Sequence, residues 1–106
     1  MAYPKEYTQH MKALEKTHEY QDWFTALPDK LVKARIQARI DRLQDGNAGD
    51  VASVGEGVNE LRLHFGSGWR IYYTERNGQI IILLAGGNKR TQANDIKLAL
   101  KLAHNL

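Results

Sequence analysis

Residues 60–85 read ELRLHFGSGWRIYYTERNGQIIILLA, and this stretch decides the fold. Leu61, Leu63 and Phe65 alternate with Glu60, Arg62 and His64, and then Trp69, Ile71 and Tyr73 alternate with Arg70, Tyr72 and Thr74. A period of two marks strands with one buried face. Gly66-Ser67-Gly68 reads as one turn and Asn77-Gly78 as a second, since Gly and Asn accept the positive φ of tight hairpins. The run from Gln79 to Ala85 is almost wholly apolar, which suits a strand covered on both faces. Three antiparallel strands are predicted.

Upstream, residues 46–57 carry four glycines among polar residues and read as a loop. Before it, Pro28 and Asp29 open a helix that runs to about Asp45, with Val32, Ile36, Ile40 and Leu43 as its apolar stripe. Gly46-Asn47 supplies a left-handed stop. Beside the stripe run Arg35, Arg39 and Arg42. They fit either a solvated helix face or a surface that tracks phosphates or binds a partner.

Thr17 reads as the N-cap of a shorter helix to about Ala26, with Glu19 in the first turn. Met11 to Lys16 fits a short edge strand, and residues 1–10 a polar extension. Downstream, Gly86-Gly87 end the last strand, and a polar stretch leads into a helix bearing Ile96, Ala99, Leu100 and Ala103. Residues 11–106 thus form one α+β domain. Its curled antiparallel sheet carries two N-terminal helices on one face and a C-terminal helix.

Composition excludes several chemistries. No cysteine is present, so thiolate nucleophiles, disulfides and zinc-thiolate sites are ruled out. His10, His18, His64 and His104 lie too far apart for metal-ligand spacing, and no metal or cofactor is expected. No membrane span or signal peptide is visible, which makes the cytoplasm the expected location. A net charge of +3 permits nucleic acid or an acidic protein as partner without demanding either.

Register places the charges. A three-residue turn at Gly66–Gly68 pairs His64 with Arg70 and Arg62 with Tyr72, so one face carries Glu60, Arg62, His64, Arg70, Tyr72 and Thr74. A two-residue turn at Asn77-Gly78 sets Ala85 opposite Arg70 and Leu83 opposite Tyr72. Ile81 and Leu83 then become the landing site of the C-terminal helix. The chain returns near Arg70 and delivers Lys89 and Arg90 to the same corner. Arg62, His64, Arg70, Lys89 and Arg90 are the candidate catalytic residues. Arginine and lysine stabilise a phosphodiester as it becomes more anionic, and an imidazole can move protons. Arg35, Arg39 and Tyr72 are candidate RNA contacts, the tyrosine as a stacking surface.

Residues 34–40 (ARIQARI), 46–50 (GNAGD), 57–62 (GVNELR), 68–73 (GWRIYY) and 86–92 (GGNKRTQ), with Asp95-Ile96, resemble the phage-derived addiction module killer, or HigB-like, branch of the RelE/ParE toxins. The resemblance spans roughly residues 11–104. It implies a RelE-like microfold and a type II toxin–antitoxin module. The implied partner is a helix-turn-helix antitoxin similar to the HigA group, held in a hetero-oligomer. The implied activity is that of a metal-independent mRNA endonuclease acting in the ribosome, where the 2′-hydroxyl attacks the adjacent phosphate.

Arg70 matches the arginine that follows the aromatic residue in the RelE-type third strand, and Arg62 a basic residue on the preceding strand. Lys89 and Arg90 match the basic pair after the last strand. Glu60 stands where the group can carry a second basic residue. The tyrosine that some members place at the start of the last helix and the C-terminal histidine of HigB- and YoeB-like toxins have no counterpart. Two other functions share this fold: a ParE-like DNA gyrase inhibitor and a catalytically inactive antitoxin-binding module.

Overall fold

The computed structural model describes residues 11–106, so the expected polar extension at 1–10 lies outside the described residues. Strand β1 (Ala13–Lys16) leads to helices α1 (His18–Ala26) and α2 (Lys30–Gln44). Strands β2 (Val51–Gly55), β3 (Val58–Arg62), β4 (Arg70–Arg76) and β5 (Ile80–Gly87) follow. A 3-10 turn (Lys89–Thr91) then runs into helix α3 (Gln92–His104). The sheet order is β1-β5-β4-β3-β2. β1 pairs parallel to β5, and every other pair is antiparallel.

The helix boundaries follow local chemistry. Thr17 caps α1 by accepting from the Tyr20 amide at 3.0 Å, and its hydroxyl donates across to the Leu84 carbonyl at 2.6 Å. Asp29 caps α2 through the Leu31 amide at 2.8 Å. Gly46, at φ 91°, ends α2 in the left-handed region.

Four expectations about the sheet need correction. The glycine-rich loop contains β2, an edge strand whose small and polar residues hide its period. It pairs with β3 through Val51↔Leu61, Ala52↔Glu60 and Ser53↔Asn59. The first long hairpin has a wider connection than Gly66–Gly68, so Arg62 lies opposite Arg70 and Glu60 opposite Tyr72. That is a slip of two residues, which leaves every side chain on its expected face.

The second hairpin turns over Asn77, Gly78 and Gln79, so Arg76 pairs with Ile80. This odd slip exchanges the faces. Ile81 and Leu83 pack beneath α1 and α2, while Ile82, Leu84 and Ala85 receive α3. A bulge between Tyr72 and Tyr73 then resets the pairing to Tyr72↔Ala85 and Arg70↔Gly87.

β5 also runs on through Gly86 and Gly87. A Cβ at Gly86 would collide with the Trp23 ring, and one at Gly87 with Asp95. Glycine there lets α1 and α3 press on opposite faces of the same strand. The core beneath α1 and α2 gathers Tyr20, Ile36, Ile40, Leu43, Leu61, Ile71 and Tyr73 with Ile81 and Leu83. Among the described residues no helix is long and apolar enough to cross a membrane.

Candidate functional site: a basic corner over a buried carboxylate

Arg70 opens β4 and Arg62 closes β3, so their pairing brings two guanidinium groups to one end of the sheet. β5 ends opposite Arg70, and the Lys89 amide donates to the Ser67 carbonyl at 3.3 Å, which docks the 3-10 turn against the β3–β4 connection. Gly68 sits at φ 76°, and a Cβ there would press to 3.3 Å from the Lys89 Cβ. Glycine is therefore required for its backbone angle and for closeness. Asn88 caps the turn by accepting from the Arg90 amide at 2.9 Å and the Thr91 amide at 3.2 Å.

The result is an open cleft of about 630 Å³ lined by His64, Ser67, Arg70 and Lys89, a size ordinary for a ligand site. His64, Arg70 and Lys89 thus converge. Arg62 stands alongside and lines an adjoining cleft of about 470 Å³ with Arg35, Arg39, Arg42 and Asp50. His64 and Phe65 form the wall between the two clefts. Arg90 lies exposed on the 3-10 turn next to Lys89 and lines neither cleft.

Beneath the corner lies Glu60, 1% exposed. Its Oε1 accepts from Arg62 Nε at 3.0 Å, and its Oε2 from the Tyr72 hydroxyl at 3.0 Å and Gln92 Nε2 at 2.7 Å. Arg70 Nε lies 4.0 Å from the same Oε2. Burial alone would raise the Glu60 pKa; the hydrogen bonds from Gln92, Arg62 and Tyr72 and the Arg70 charge outweigh it and hold the carboxyl below its usual range. The Tyr72 phenol moves up, first through burial and then through Glu60. Its ring is completely buried, so Tyr72 presents no stacking face to a base.

Arg39 differs equally from its sequence-level reading. It is buried, and its Nη1 donates to the Asn47 carbonyl at 3.2 Å and its Nη2 to that of Ala48. The loop after α2 is clamped by this side chain, and Gly49 is a glycine because a Cβ would strike the guanidinium. Arg35 stays exposed, 4.9 Å from the centre of the Phe65 ring.

Sequence reasoning missed two partners. Asp50 contacts His64 Nε2 and lies 4.0 Å from Arg62 Nη1. Gln92 reaches Glu60 from the start of α3. Both come from segments distant in sequence, one of them read as loop, and no local periodicity points to them. Among the described residues no group of three or more His, Asp or Glu side chains is placed to hold a metal ion.

A five-stranded sheet with two helices on one face and one on the other defines the class, a small α+β domain with the RelE-like fold. Residues 22–104 match the family described as phage derived protein Gp49-like (DUF891), and the chain belongs to that family. An uncharacterized protein of Haemophilus influenzae is 46% identical over 93 residues, which cover 88% of this chain and 94% of that one. The E. coli toxin RelE, solved as a mutant in the free state, aligns with a TM-score of 0.69 over 86% of this chain and 96% of that chain. Sequence identity in that pair is 13%, so the likeness speaks to the fold.

Proposed function

We propose that this chain is the toxin of a type II toxin–antitoxin module, HigB-like in kind, and that it cleaves mRNA on the ribosome in the cytoplasm without a metal. The observation that carries this reading is the convergence of Arg70, Lys89 and His64 on one open cleft, with Arg62 alongside. In the proposed reaction a 2′-hydroxyl oxygen bonds to the adjacent phosphorus, and the bond from phosphorus to the 5′-oxygen breaks. The 2′ proton leaves to a base, and the departing 5′-oxygen takes up a proton. The products are a 2′,3′-cyclic phosphate and a free 5′-hydroxyl.

Arg70 and Lys89 supply positive charge to the phosphorane-like transition state, a task for which preorganised donors are well suited. His64, steadied by Asp50, is the candidate proton carrier. Arg62, Arg90 and Arg35 supply further positive charge for flanking phosphates. Arg39 contributes by holding the loop that carries Asp50 rather than by touching RNA. A basic cleft that must be silenced suits an antitoxin, of the HigA-like helix-turn-helix kind, that brings acidic side chains to it in a hetero-oligomer.

The test is primer extension on a reporter mRNA in cell-free translation, with and without ribosomes, using wild-type protein and Arg70→Ala. New 5′ ends are expected only with ribosomes and wild-type protein. Arg70→Ala is expected to cut about 10²–10³-fold more slowly, the cost of one lost oxyanion donor. Growth arrest with an uncut message would replace this reading with gyrase inhibition, checked by a supercoiling assay. No growth effect at all would leave an antitoxin-binding module.

A further inference from the structure

Glu60 is an expensive residue for its position. A carboxylate buried in the middle of a sheet loses its hydration, and an apolar side chain of similar volume would serve stability as well or better. Its surroundings keep it ionised and fixed. Donors from three elements, Arg62 on β3, Tyr72 on β4 and Gln92 on α3, occupy both oxygens. A negative charge is thereby pinned 4.0 Å from Arg70 Nε.

Arg70 is the group that responds to it. Its Nε is buried without a hydrogen-bond partner, and its side chain is 12% exposed. Among the described residues nothing hydrogen-bonds its Nη groups, while the residue lines the open cleft. The Nε edge therefore faces a fixed anion and the rest of the guanidinium remains available, the arrangement a bidentate phosphate contact needs.

We infer that Glu60 is a positioning residue: a buried carboxylate, tied down by donors from three elements, that sets where the Arg70 guanidinium meets the scissile phosphate. The inference rests on the nuclease reading for its consequence in turnover, but the orientation of Arg70 by Glu60 is measurable without RNA. A purely structural Glu60 would affect stability and would not be coupled to Arg70.

The experiment compares wild type, Glu60→Gln, Arg70→Ala and the double variant for ribosome-dependent cleavage. Glu60→Gln keeps the shape and removes the charge. It is expected to lower kcat about 10²-fold, the usual penalty for a misplaced catalytic group, with KM little changed. In the Arg70→Ala background the same change is expected to cost far less, only what the loosening of Arg62 removes. Additive losses, or wild-type turnover by Glu60→Gln, would overturn the inference. Glu60→Asp, which retains the charge one methylene further back, serves where Glu60→Gln folds poorly; a partial loss of kcat, again much smaller without Arg70, is expected.

In parallel, the Nε–H resonance of Arg70 is followed by NMR in the free protein and assigned by its disappearance in Arg70→Ala. A displaced, faster-exchanging resonance in Glu60→Gln is expected. An unmoved resonance would overturn the positioning role whatever the cleavage assay gives. Wild-type protein that cuts no RNA, together with the displaced resonance in Glu60→Gln, would sink the nuclease reading and leave the positioning intact.

Discussion

Beneath α1 and α2, the sheet meets its helices through Leu61, Ile71, Tyr73, Ile81 and Leu83 against Ile36, Ile40 and Leu43. On the opposite face α3 lies over Val58, Ile82, Leu84 and Ala85, and the same side of the sheet also buries Glu60 and Tyr72. The first face is built from shape and area, so its strength is the hydrophobic transfer of large side chains. The second surrenders part of that area to a polar cluster whose worth depends on every donor and acceptor being matched. The first face holds the larger apolar core and the second a smaller one beside the buried Glu60 network, and the difference between them is open to experiment.

The largest stability effect is expected on the first face. Ile40→Ala removes a fully buried side chain and is expected to cost about 2–5 kcal/mol in denaturant unfolding. Cleavage per folded molecule should stay unchanged. If specific activity fell in step with stability, the two faces would not be separable.

Two tyrosines sharpen the contrast by having opposite bookkeeping for the same deleted atom. The Tyr72 hydroxyl donates to an ionised carboxylate, so Tyr72→Phe is expected to cost about 1.5–3 kcal/mol. The Tyr20 hydroxyl is buried on the first face with no hydrogen-bond partner, and burial alone raises its pKa. Tyr20→Phe should therefore be neutral or stabilise by up to about 1 kcal/mol. Equal losses at both positions would show that the hydroxyl environments do not differ as described.

The smallest effect is a pH dependence confined to the second face. The Glu60 pKa in the fold lies below its ordinary value of 4.5. Its stabilisation is complete above that value and drains away as pH falls through the lower, folded value. Asp95, raised mainly by burial, acts in the opposite sense, so the comparison must be made against Glu60→Gln. Acid unfolding followed by circular dichroism should show a flatter acid limb in the variant. An unchanged limb would mean that Glu60 does not carry the ionised network.

The two hairpins explain how much of this was readable. In the β3–β4 hairpin the turn residues suggest a register two residues away from the real one, yet Glu60, Arg62, Arg70 and Tyr72 share one face in either, because a strand repeats every second residue. In the β4–β5 hairpin an error of one residue exchanged Ile81 and Leu83 for Ile82, Leu84 and Ala85, and the bulge near Tyr72 left no trace in an unbroken apolar run. β2 is illegible in the sequence for a related reason: an edge strand with Ala52, Ser53 and Gly55 buries too little to show a period. Of the candidate site, the meeting of Arg70 with Lys89 followed from the order of strands and turns. The withdrawal of Arg39 and Tyr72 into the interior did not.

By itself, the sequence determined what local rules govern: the helices and their caps at Thr17 and Asp29, the stop at Gly46, the three alternating or apolar strands and the arginines that share a strand face. These depend on φ preference, hydrogen-bonding side chains and apolar period, all properties of neighbouring residues. Only the tertiary structure decided the parity of the last hairpin, the parallel docking of β1, the pairing of Asp50 with His64 and the enclosure of Glu60 by Gln92. The hairpin parity depends on which face the helices cover, and the other three on segments remote in sequence being packed together; burial, which turns an ordinary glutamate into a fixed internal charge, exists only once those segments have met.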